Sequence, residues 1–146
     1  MNRFRFPNGM TRLRGGSKYP RLHGVVQFYQ QPGGVLVTVE VTGLPETQTN
    51  FFALHIHEGE SCGGHNFSNS GSHWNPGGTA HPNHAGDLPP LLGNQGRAYM
   101  QVLTNRFRVE DVIGRTVIIH SEPDAFRTQP SGNAGEKIAC GVIRKI

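Results

Sequence analysis

The most regular stretch of the chain is VLVTVEVTGLP at 35–45, where Val35, Val37, Val39 and Val41 alternate with Thr38, Glu40 and Thr42. A period of two puts the valines on one face and the polar residues on the other, which predicts a half-buried strand. GVVQFYQ at 24–30 predicts a second strand, and Gln31-Pro32-Gly33-Gly34 supplies the turn chemistry of a short hairpin between them. Further strands are predicted at FFALHIH (51–57), GRAYMQVLT (96–104), GRTVIIH (114–120) and KIACGVI (137–143), with a short first strand at MTRLRGG (10–16). The stretch 97–113 has neither Gly nor Pro and a helix is open to it, but its alternation and β-branched content predict two strands. Two segments resist a strand reading, 58–93 and 121–136, both rich in Gly, Pro, Ser and Asn. Loops of that length in a compact domain are functional or disordered, and the histidines crowded into the first argue for function. Strands at this density without a helical pattern predict an all-β fold, an antiparallel β-sandwich or barrel.

Composition supports many turns within one core. The 146 residues suit a single domain, and the 20 glycines and 10 prolines are spread along the chain rather than gathered in one tract. The net charge of +4 is unevenly placed. Arg3, Arg5, Arg12, Arg14, Lys18 and Arg21 all precede the first acid, Glu40, and leave a slightly acidic body. A basic arm over 1–20, with room for the short first strand, therefore precedes a domain at 21–146. Such an arm could touch nucleic acid or anionic membrane, but a solvated, partly ordered terminus is the expectation, with no nucleic-acid or membrane partner. No run approaches the roughly 18 apolar residues of a membrane span, and the opening MNRFRFPNGM lacks an apolar signal core. The chain as written is expected in the cytoplasm, an exported form being the alternative. Cys62 and Cys140 lack CxxC spacing, which leaves pairing with each other or two free thiols.

The histidines change the picture most. In Phe52-Ala53-Leu54-His55-Ile56-His57 the strand period sends Leu54 and Ile56 to the core and both imidazoles to the other face. The attachment points of those rings are then about 6.6 Å apart, close enough to grip one ion. A second group, His73, His81, His84 and Asp87, puts three imidazoles and a carboxylate on one loop. Four N/O ligands suit a closed, tetrahedral zinc site. His120 ends the apolar run TVIIH at another strand end.

The segments HIHE (55–58), GSHWNP (71–76), HPNHAGDL (81–88), IGRTVIIH (113–120) and PSGNAGEKIACGVI (130–143) resemble, in order, the signature blocks of copper/zinc superoxide dismutases. The spacing HIHEGESC is closer to bacterial members than to animal ones. The resemblance implies a Greek-key, immunoglobulin-like barrel with two long functional loops. It implies copper on His55, His57, His73 and His120, and zinc on His73, His81, His84 and Asp87, with His73 shared. Four imidazoles suit Cu(II), and the set with a carboxylate suits zinc. Asp124 matches a family aspartate that links a copper histidine to a zinc histidine. Cys62 and Cys140 match the family's disulfide, worth about 4 kcal/mol by chain entropy. His23 and His65 match no ligand position and are expected at the surface.

The resemblance further implies superoxide as substrate, dismutated to dioxygen and hydrogen peroxide, with His73 taking up and returning a proton. It does not fix the oligomeric state, and a homodimer is the assembly to test for. Lys137 stands where the family carries an arginine. An ammonium keeps the charge but loses the planar multi-donor fork, so a slower and more salt-sensitive enzyme is expected. Trp74 stands where many members have phenylalanine and is expected to pack. The rival reading is a copper- and zinc-holding domain with little or no turnover.

Overall fold

A computed structural model describes residues 6–126 and 128–146. The first five residues of the basic arm, with Arg3 and Arg5, and the loop residue Arg127 lie outside the described residues. Among the described residues nine strands form: β1 (Gly9–Gly15), β2 (His23–Gln31), β3 (Gly34–Thr42), β4 (Phe51–His57), β5 (Asp87–Leu92), β6 (Ala98–Thr104), β7 (Thr116–His120), β8 (Lys137–Val142) and β9 (Arg144–Lys145). They pair in the order β5-β4-β7-β8-β1-β2-β3-β6, with β9 added to β1, as a nearly closed antiparallel barrel. β3 pairs with β6 although β4 follows it in sequence, and β4 lies between β5 and β7. These crossings are those of a Greek key.

Alternation drives the closure. Val35, Val37, Val39 and Val41 are buried as their period requires, and Phe28, Phe52, Leu54, Ile56, Val117 and Ile119 meet them inside the barrel. Trp74 joins this core edge-on to Phe107, with the Arg115 guanidinium 4.9 Å from its ring centre. Packing is therefore its role, as expected.

Two expectations need correction. Residues 97–113 do not form two strands: β6 ends at Thr104, and Val109–Val112 is a single helical turn, α1. Asp111 accepts the Arg108 backbone N–H at 2.9 Å and caps this turn, while Val109 and Val112, one helical turn apart, are both buried. The segment 58–93 is also not all loop. It contains a short 3-10 segment, His65–Ser70, and ends in β5. Pro89 and Pro90 cannot donate to a ladder, so this strand is confined to the barrel's edge, paired only to β4. Among the described residues no helix is long and apolar enough to cross a membrane.

Candidate metal centre

Strand register assembles the site. On β4, His55 stands opposite Asp87 of β5 and Ile118 of β7, and His57 stands opposite Thr116. His57 also bridges to His73 in the covering loop, while His120 at the end of β7 pairs with Lys137 at the start of β8. Leu54 and Ile56 face the core, so both rings turn outward, where the two loops fold over them. The loops are tied to each other by Gln129, which accepts the His81 backbone N–H at 3.0 Å and donates to the His81 carbonyl at 2.7 Å. His55, His57, His73, His81, His84, Asp87, His120 and Asp124 are all buried as a result. His23 and His65 are exposed, as expected.

The hydrogen bonds decide which nitrogen of each ring faces inward. His55 Nε2 donates to Asp124 at 2.8 Å and His81 Nε2 donates to the other oxygen at 2.6 Å. His57 Nδ1 donates to the Gly71 carbonyl at 2.8 Å, and His120 Nδ1 donates to that of Gly135 at 3.4 Å. With those protons committed, Nε2 of His57 and Nε2 of His120 present lone pairs to each other at 3.2 Å. His73 Nδ1 and His84 Nδ1 also approach to 3.2 Å, and His73 Nδ1 lies 2.9 Å from Asp87. His55 Nδ1, His73 Nε2, His81 Nδ1 and Asp87 Oδ1 are buried without a hydrogen-bond partner. Orphaned acceptors pointing at shared points are a heavy cost unless a cation takes them. The residues present therefore fit two metal ions.

Two mutually close sets emerge, His55 with His57, His73 and His120, and His55 with His73, His81 and Asp87, each within 4.8 Å. The second differs from the sequence expectation by holding His55 where His84 was anticipated. His55 lies between the two sets, its ring 3.8 Å from that of His73, so proximity alone serves both. Only Nδ1 of His55 is free, however, whereas His84 Nδ1 sits beside both His73 Nδ1 and Asp87.

Burial sets the electrostatics. It lowers the pKa of His55, and that of His57 falls well below the usual 6.5, with repulsion from His120 as the next cause. His84 is lowered by burial as well, and His120 is lowered to about 3 by burial and then by His55. These rings stay neutral, the form in which imidazole binds metal. Burial opposes ionisation of Asp124 and Asp87. Hydrogen bonds from His55 and His81 outweigh it at Asp124, His73 does so at Asp87, and both carboxyls lie below the usual range.

The family model described as copper/zinc superoxide dismutase (SODC) matches residues 22–143. The chain belongs to that family. Among curated members it is similar to the superoxide dismutase (Cu-Zn) of Legionella pneumophila, 37% identical over 131 residues, covering 83% of this chain and 77% of that protein. Superoxide dismutase (Cu-Zn) 2 of Aquifex aeolicus is 36% identical, covering 83% and 78%. The enzyme of Deinococcus radiodurans is 31% identical, covering 86% and 79%.

In this dismutase-family chain, Cys62 and Cys140 are joined, tying the segment before the 3-10 turn to β8. Lys137 lies under that same turn. Its ammonium donates to Ser70 Oγ at 2.7 Å, to the Gly71 carbonyl at 2.8 Å and more weakly to that of Phe67 at 3.5 Å. All three of its donors have acceptors. Sequence reasoning missed Ser70 and the carbonyls of Gly71 and Gly135. It also missed Gly132, whose φ of +75° admits glycine and whose added Cβ would meet the Asp124 carboxylate and the His81 ring. An isolated glycine gave the only available signal for that position.

Proposed function

We propose that this chain dismutates superoxide to dioxygen and hydrogen peroxide at a copper site bridged through His73 to a zinc site. His55 Nδ1 and the Nε2 atoms of His57, His73 and His120 would hold copper; the Nδ1 atoms of His73, His81 and His84 with Asp87 would hold zinc. Bound there, copper supplies a one-electron redox couple and zinc a fixed positive charge. The rest is the work of the chain. Asp124 fixes the tautomers of His55 and His81, and the Gly71 and Gly135 carbonyls fix those of His57 and His120.

The observation that carries this reading is His73, whose Nε2 is buried without a partner while Nδ1 faces Asp87 and His84. A ring with both nitrogens turned inward can be held at Nδ1 while Nε2 takes up and returns a proton. Lys137, opposite His120 in the β7–β8 ladder, adds positive charge for an anionic substrate. With its donors occupied it acts by charge, not by gripping the anion.

Metal analysis paired with a superoxide-consumption assay on copper- and zinc-loaded protein tests the reading. One copper and one zinc per chain with turnover is expected; full loading without turnover would favour a metal-holding domain. The bonded Cys62 and Cys140 suit an oxidising compartment, which alkylation of the chain at cell lysis would read directly. A homodimer remains our expectation for assembly, tested by sedimentation of the loaded protein.

A further inference from the structure

Of the basic residues that opened the sequence, Arg12 and Arg14 lie in the barrel wall. β1 is a barrel strand with β2 on one edge, and on its other edge β9 places Arg144 opposite Met10 and Lys145 opposite Gly9. Met10, Arg12 and Arg14 alternate with the buried Gly9, Thr11 and Leu13, so they point outward. The fold thus gathers Arg12, Arg14, Arg144 and Lys145, from opposite ends of the sequence, around one open groove of about 840 Å³. Its floor is apolar, with Phe67, Val142 and the Cys62–Cys140 bridge, and no Asp or Glu side chain lines it. Among the described residues none of the four cations has an ion pair or hydrogen-bonding side-chain partner; the one arginine–carboxylate pair there is Arg108 with Glu110.

Charge is segregated across the whole chain in the same sense. Residues 1–21 and 144–146 hold eight of the 14 Lys and Arg and none of the 10 Asp and Glu. The rest of the molecule has six cations against those ten acids, a net −4. An unpaired concentration of one sign repels itself, and a face built this way is complementary to an anionic surface. At the end of the stripe the Ile146 backbone N–H donates to the Asn8 carbonyl at 3.2 Å, which ties the residue after β9 to the residue before β1. Ile146, 61% exposed, lines the groove with the cations, and Phe6, 79% exposed, lies two residues before Asn8 in the chain.

We propose that this face docks on an anionic phospholipid bilayer, with Arg12, Arg14, Arg144 and Lys145 at the headgroups and Phe6 and Ile146 entering the interface. Exposed aliphatic and aromatic side chains next to cations favour a bilayer over a nucleic acid or sulfated polymer, because acyl chains accept Ile146 and a phosphate-rich strand does not. The docking revises the expectation of no membrane partner, and it stands independently of the metal centre and its turnover.

The test is cosedimentation of the full chain with phosphatidylcholine vesicles, with and without phosphatidylglycerol. Binding only to the anionic vesicles, weakened by salt, is expected. Each of Arg12→Gln, Arg14→Gln, Arg144→Gln and Lys145→Gln should weaken it by about fivefold, and Phe6→Ser should weaken it further, with superoxide consumption unchanged. Arg97→Gln, an exposed cation elsewhere, should leave vesicle binding intact. Equal loss in Arg97→Gln would overturn the face in favour of bulk net charge. Binding to heparin or single-stranded DNA but not to vesicles would overturn the bilayer as the partner.

Discussion

Reducing the Cys62–Cys140 bond in the metal-free protein should cost about 4.5 kcal/mol of stability. The two cysteines are 78 residues apart, and closing a loop of that length removes about 15 cal/mol/K from the unfolded chain in the entropy model. A chain of 146 residues unfolds with an entropy of about 0.3 kcal/mol/K, so the midpoint should fall by roughly 15 °C. Metal must be absent, since ligands that bind only the folded state add stability of their own. The assay is calorimetry of the same polypeptide, intact and after reduction and alkylation, at equal pH. A fall of under about 3 °C would show that the unfolded chain's loop entropy is not what the bond removes.

The Lys137 substitutions separate charge from grip. Lys137→Met should lower kcat/KM by about fivefold at low salt, the effect of a charge interaction of about 1 kcal/mol, and flatten its salt dependence. Lys137→Arg should raise kcat/KM because its extra donors can hold the loop and still reach the anion; unchanged rates in both variants would remove Lys137 from the reaction. Asp124→Asn offers one acceptor where two rings need one each, so metal affinity should fall by about 10- to 100-fold with the fold intact, read by competition with a chelating dye. For pH, the folded pKa of His120 is lowered to about 3 and that of His57 lies well below 6.5. Below 6.5 the unfolded metal-free chain binds protons that the folded chain refuses, so stability is full above that value and lost as pH falls toward the folded pKa values. Urea titrations should give a slope of about 2 to 3 kcal/mol per pH unit near pH 5, and a flat profile would contradict neutral burial of these rings.

The residues that were legible are those with a side-chain period or a side-chain ligand. β3 declares itself by four valines at spacing two, and the rings of β4 by the same spacing. β5 hid because Pro89 and Pro90 signal a break, and only the pairing to β4 made their segment a strand. α1 hid because four residues are too few for a period to show. The Asp124 link was legible through family resemblance alone, since its partners are 69 and 43 residues away in sequence. The carbonyls that orient His57 and His120 carry no side-chain signal, and only the folded loops reveal them.

Asp124 carries one further consequence. Each of its oxygens is committed to a different ring, one from each ligand set. Immobilising His55 immobilises the carboxylate, and with it His81. Filling either pocket thus removes orientational freedom that the second filling no longer has to remove. The two ions should load cooperatively, each raising the other's affinity by the same factor, with the Asp124 carboxylate a second link beside the shared His73.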